Sequence, residues 1–145
     1  MAGDPVTLGE LAALIAGRLI DFVRMHISQM GGITPARKVA AMGELFGVRT
    51  AWHGPGDVSP AGHAANLHLD LACPNFGVQE FCGFSDAEQE VFPGCPEVRN
   101  GYLYANDQPG LGVDIDEARA ARHPCREGPD DWTQSRRPDG SAARP

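Results

Sequence analysis

The sequence nowhere places ~18 apolar residues in a row, so no segment is built to cross a bilayer as a helix. It has no basic stripe either, and a formal net charge of -7 argues against nucleic acid as a partner. Its four cysteines (Cys73, Cys82, Cys95 and Cys125) are irregularly spaced, and no Cys-x-x-Cys occurs, which excludes the usual zinc-knuckle patterns. The start, Met1-Ala2-Gly3-Asp4-Pro5, lacks the basic and apolar parts of a signal peptide. Reduced thiols and a cytoplasmic location are therefore expected. Cys73 and Cys82 have no basic neighbours to activate a thiolate and are expected as buried apolar thiols. "DIDE", Asp114 to Glu117, lacks the spacing of a calcium loop, and Gly110-Leu111-Gly112 is too short to cradle phosphate. His63 and His68 lie five apart on an expected helix and so share no face; with Asp70 they read as solvated or packed positions.

What is present is an alternation. A hydrophobic content of 42% and a charged content of 21% fit a globular domain with one core. Thr7 and Glu10 have the form of a capping box, followed by the stripe Leu8, Leu11, Ala12, Ile15 and Leu19. Residues 20–27, "IDFVRMHI", read as a strand, ended by Gly31-Gly32. Thr34-Pro35 looks like a hydroxyl cap and first-turn proline, opening a helix over 34–46 that Gly47 ends. Residues 48–52 form a second strand, Gly54-Pro55-Gly56 a stiff loop, and Ser59-Pro60 opens a helix over 60–72. Residues 75–79 form the third strand. Helices alternating with strands at this spacing predict βαβ units, with three adjacent parallel strands.

The organisation expected is a partial (β/α) barrel over 1–82, an irregular segment over 83–123 with a small hairpin and a short helix near 114–122, and a loosely ordered, proline-rich tail over 124–145.

In parallel α/β folds, ligands bind beyond the carboxyl ends of the strands. Arg24 lies near the end of the first strand, His53 follows the second with Asp57 four residues on, and Gln79 and Glu80 close the third. Arginine pairs with a carboxylate through a fixed fork of donors, histidine hydrogen-bonds a hydroxyl or carries a proton, and carboxylates accept from sugar hydroxyls. Such a set suits a small, polyhydroxylated, anionic ligand. The plainer alternative is that Arg24 and Glu80 form an ordinary ion pair and that His53 caps a loop.

The stretches "RLIDFVRMHISQMGGITPARK", "RTAWHGPGDVSPAGHAANLHLDLACPNFGVQE" and "VFPGCPEVRNGYLYANDQPGLGVDIDE" closely resemble the mannonate dehydratase branch of the enolase superfamily. The resemblance implies a (β/α)8 TIM-type barrel with a capping domain, and an enzyme that uses Mg²⁺ to dehydrate sugar acids such as D-mannonate or D-gluconate to 2-keto-3-deoxy acids. It implies substrate binding by Arg24, His53, Asp57 and Glu80, with His53 also handling a proton at the leaving hydroxyl. It also implies a homo-oligomer for the full-length enzyme.

A complete barrel needs ~250 residues, and this sequence supplies about three strands of it. The family's three metal-binding carboxylates, its Tyr/Arg pair and its general-base histidine match nothing here. The expectation is a C-terminal portion of a dehydratase that binds no Mg²⁺ by itself, lacks activity alone and associates through unpaired sheet edges. The strand faces that would pack against the barrel interior, Phe22 and Trp52 among them, are expected to lack their partners. The competing expectation is a non-catalytic truncated paralogue that at most binds a sugar acid or a partner subunit.

Overall fold

The computed structural model describes residues 8–124 and 138–140. Thr7 of the expected capping box, Cys125 and most of the tail lie outside the described residues. Three helices and two short strands come first: α1 (Leu8–Ala16), β1 (Phe22–Val23), α2 (Ile33–Phe46), β2 (Arg49–Thr50) and α3 (Pro60–Ala72). After them come α4 (Asp86–Val91), the hairpin strands β3 (Glu97–Arg99) and β4 (Tyr102–Tyr104), and α5 (Glu117–Ala120). None of these helices is long and apolar enough to cross a membrane.

β1 and β2 pair in parallel, Phe22 opposite Arg49 and Val23 opposite Thr50. The third segment joins through a single parallel bridge, Thr50 to Phe76. The ladder reaches beyond the regular strands: the amides of Arg49, Ala51 and His53 donate to the carbonyls of Asp21, Val23 and Met25 at 2.9–3.0 Å. On the other side of β2, the Gly77 and Val78 amides both donate to the Thr50 carbonyl. Three adjacent parallel segments are therefore present, with β2 in the centre, but their regular parts are much shorter than the apolar runs.

Alternation along these strands divides the side chains into two sets. Val23, Val48 and Trp52 are at most 2% exposed and pack with Leu11 and Ile15 of α1, Ala36, Val39 and Ala40 of α2, and Leu69 of α3. Phe22 is 45% exposed, and its ring lies over Gly77, where a β-carbon would meet it at 2.5 Å. The sequence reading set Trp52 beside Phe22 on the inward face. The structure corrects this: since His53 points one way, a period of two turns Trp52 toward the helices.

Local signals account for the helix ends, with three adjustments. Gly47 adopts a left-handed conformation, its amide and that of Val48 closing the end of α2 onto Glu44 and Gly43. Ser59 caps α3, accepting from the Gly62 amide at 3.3 Å, with Pro60 in the first turn. Thr34, by contrast, is not a cap: α2 starts at Ile33 behind Gly32, which has φ 103° and supplies no side chain. Leu8 and Leu19, placed on the buried stripe of the first helix, are 49% and 71% exposed; only Leu11 and Ile15 of that stripe reach the core. In the segment after Cys82 the structure adds α4, opened by a Ser85–Glu88 capping box, and limits the following short helix to Glu117–Ala120, capped by Asp116.

Candidate functional site at the strand ends

The ladder sets the spacing of the site. Arg24 follows β1, and two residues beyond it His26 falls on the same side of the extended chain. His53 is fixed by its amide's hydrogen bond to the Met25 carbonyl, while its own carbonyl accepts from the Asn66 side chain of α3 at 3.3 Å. Glu80 ends the third segment. These segments converge on one open mouth.

At its centre Arg24 Nη2 donates to both carboxylate oxygens of Glu80, at 3.0 and 2.9 Å. The Gly54 amide donates to Glu80 Oε2 at 3.2 Å, and His53 Nε2 lies 3.6 Å from the same oxygen. Gly54 is also a steric requirement: a β-carbon there would collide with the Glu80 carbonyl oxygen and come within 2.9 Å of the His63 ring. The rings of His26 and His53 meet edge to face at 5.7 Å, and His26 Nδ1 shares a 2.6 Å hydrogen bond with Ser28 Oγ. A cavity of about 220 Å³ adjoins the two histidines, walled by Ile27, Val58 and Ala65 among others.

The electrostatics favour a charged pair beside a neutral imidazole. Burial lowers the His53 pKa, Arg24 lowers it further, and Glu80 only partly opposes them. For Glu80, slight burial pushes upward, but the Gly54 amide, the Arg24 hydrogen bond and the Arg24 charge together hold the carboxyl below its ordinary range. Arg24 and Glu80 side chains are 54% and 42% exposed. An ion pair this exposed contributes only ~0–1 kcal/mol to stability. Its geometry consequently matters more for orienting polar groups at the mouth than for holding the fold.

Of the four residues picked from the sequence, Arg24, His53 and Glu80 are brought into one cluster. Asp57 stands on the exposed loop beyond Gly56 and reaches His53 only as the weakest of its charge influences. His26 was passed over, although its spacing of two from Arg24 was the signal. Gln79, named with Glu80, turns its amide nitrogen onto the Glu80 carbonyl at 2.6 Å, and its buried Oε1 has no hydrogen-bond partner among the described residues.

One further expectation is narrowed and one changes. His63, read as a solvated or packed helix position, is packed: it is completely buried, its Nε2 lies 3.4 Å from the Pro55 carbonyl and its ring meets Phe81 and Phe84 edge to face. It thus ties the 54–56 loop to the chain following Glu80. Cys82, expected as a buried thiol, is exposed, with its Sγ turned to the Gly83 carbonyl, because the chain has left the sheet there; Cys73 is buried.

Residues 5–119 match the family described as enolase C-terminal domain-like. A D-galactonate dehydratase family member of Salmonella enteritidis (strain PT4) is 59% identical over 151 residues, covering 99% of this chain and 36% of the relative. A D-galactonate dehydratase family member of Streptomyces sp. (strain SPB074) is 49% identical over 150 residues, covering 97% and 34%. The crystal structure of an enolase from Pantoea ananatis with bound D-gluconate and Mg aligns with a TM-score of 0.86 at 59% identity, over 97% of this chain and 34% of that one. The chain thus spans about a third of the length of the relatives it matches.

Proposed function

The chain belongs to the enolase C-terminal domain-like family, and from that premise we propose that it is the substrate-gripping portion of a Mg²⁺-dependent sugar-acid dehydratase. The observation that carries the reading is the Arg24–Glu80–His53 cluster at the strand ends, which presents a cation, an anion and an imidazole around one mouth. D-Mannonate and D-gluconate are the substrates that the resemblance implies, and the names of the relatives add D-galactonate. In this reading the full-length enzyme is a cytoplasmic homo-oligomer.

Arg24, Glu80 and His53 have roles that their surroundings support. Arg24 supplies guanidinium donors to an anionic or hydroxylated part of the substrate, oriented by Glu80. Glu80 accepts from a sugar hydroxyl. Asp57 stands outside the cluster, and its substrate contact is what the family resemblance implies. His53 is neutral at neutral pH because burial and Arg24 lower its pKa, so it hydrogen-bonds hydroxyls without adding a second positive charge. Once protonated, it is a stronger acid than a free imidazole, well suited to give a proton to a departing hydroxyl.

The mouth does not suit a metal ion. Glu80 is engaged by Arg24 and Gly54, and its neighbours are a guanidinium and an imidazole, whereas Mg²⁺ seeks several oxygen ligands. Among the described residues no group of three or more His, Cys, Asp or Glu side chains is arranged to hold a metal ion. No step is therefore assigned to Mg²⁺ on these residues, and the chain alone is inactive in this reading. The second reading is a non-catalytic sugar-acid binder.

A chimera separates them. This chain replaces the matching segment of the Pantoea ananatis relative, and Mg²⁺-dependent formation of a 2-keto-3-deoxy acid is followed with D-mannonate, D-gluconate and D-galactonate. Turnover of any of these supports the dehydratase reading and ranks the substrates. A folded chimera that binds a sugar acid but turns none over establishes the binder.

A further inference from the structure

A second cavity is lined by none of the mouth residues Arg24, His53 and Glu80. α3, the segment 76–81 and the β3–β4 hairpin enclose a cavity of about 470 Å³. Its walls are mostly apolar, including Leu67, Leu71, Val78, Phe81, Val98 and Leu103, and Asp70 is the only charged residue among those lining it. Asp70 is 9% exposed, and neither carboxylate oxygen has a hydrogen-bond partner among the described residues. Gln79, which lines the same cavity, contributes a second buried acceptor without a partner, since its nitrogen is held by the Glu80 carbonyl.

Two buried acceptors without donors are costly. A buried polar group left unpaired destabilises the fold, and more so if it is charged. An apolar side chain at position 70 would have filled the gap at no such cost. What the pair lacks in common is a donor, and what the walls offer is room for an apolar stem.

We propose that the cavity between α3 and the hairpin is a binding site for a guanidinium or ammonium group carried on an apolar stem, with Asp70 as counter-ion and Gln79 Oε1 as second acceptor. A guanidinium fits better than an ammonium, because its several planar donors serve more than one acceptor. Such a group comes either from an arginine side chain of a polypeptide or from a free alkyl cation. Arg24, His53 and Glu80 do not line the cavity, so its test is read separately from that of the mouth.

The test is an NMR titration of the chain with n-butylguanidinium, with n-butanol as the uncharged control and the capped tripeptide acetyl-Leu-Arg-Leu-amide as the polypeptide arm. Saturable shifts confined to Leu71, Val78, Val98 and Leu103 are expected with the cations and absent with butanol. Asp70→Asn should weaken binding by about ten-fold or more, as loss of a charge-assisted hydrogen bond requires. Gln79→Met, which leaves the carboxylate in place, should weaken it by a smaller factor and serves if the first variant misfolds. Tighter binding of the tripeptide identifies a polypeptide source, and tighter binding of butylguanidinium a free cation. Absence of saturation, unchanged affinity in both variants, or shifts only around Arg24 and His53 would overturn the proposal.

Discussion

The two faces of one small parallel sheet divide the work. On the helix side Val23, Val48 and Trp52 are closed off from water; on the other, Arg24, Glu80 and Phe22 are each about half exposed. The closed face takes its energy from packing, and every side chain on it has neighbours from α1, α2 or α3. The open face contributes little to stability, yet its polar groups are well paired: Glu80 alone engages a guanidinium and a backbone amide. A strand can thus serve fold and function at once, because successive residues never compete for the same side. This predicts a graded response to substitution.

The largest effect falls on the closed face. Trp52→Ala removes a side chain with 0% exposure from the centre of the core. A buried tryptophan truncated to alanine costs ~3–5 kcal/mol, against a total stability of ~5–15 kcal/mol for a typical domain. Loss of the cooperative thermal transition at ordinary temperature is expected; a melting midpoint close to that of the unaltered chain would show that the core lies elsewhere.

Asp70, buried on α3, comes next. Burial raises its pKa from 3.8 to about 7. The unfolded chain therefore loses this proton at lower pH than the folded one. The stability linked to it is fully present below the free value, declines as pH rises from about 4 to about 7, and then levels off. Asp70→Asn abolishes that decline. Subtracting the variant's stability from that of the unaltered chain cancels His53 and His63, whose lowered pKa values act in the opposite sense by costing stability as pH falls. A tenfold change in the affinity for a proton is worth about 1.4 kcal/mol, so the rise from 3.8 to about 7 implies a variant more stable by on the order of 4 kcal/mol at about pH 8 and nearly equal below about pH 4, as urea titrations should show. Parallel pH profiles would mean that Asp70 is not buried.

The smallest effect belongs to the open face. Phe22→Ser takes away a half-exposed ring whose main contact is Gly77, and should cost about 1 kcal/mol or less. Its clearer effect is expected in sedimentation, as reduced self-association, because the apolar inward surface becomes polar.

How much of this was legible in the sequence follows from the same geometry. The order of helices and strands, the parallel pairing and the clustering of Arg24, His53 and Glu80 were readable from periodicity and strand-end position. Strand lengths were not. Apolar runs report burial, whereas the regular parts of β1 and β2 depend on which neighbours are present to accept hydrogen bonds. The facing of Trp52 was readable and was misassigned, since an inward His53 forces an outward Trp52. His63 and Asp70 fall on the helical stripe with Pro60, Ala64 and Leu67, so their burial was implied by spacing; their polar character concealed it. The capping box Ser85-x-x-Glu88 was likewise in plain view. The cavity holding Asp70 and Gln79 could not be read, because it needs the hairpin folded against α3.

The central claim is that the open face holds the substrate through Arg24, His53 and Glu80. It is tested most directly by the crystal structure of the chimera soaked with D-gluconate. The account predicts the sugar acid within hydrogen-bonding distance of Arg24 and His53, with Glu80 accepting from a hydroxyl. A bound sugar acid that touches none of the three would contradict it.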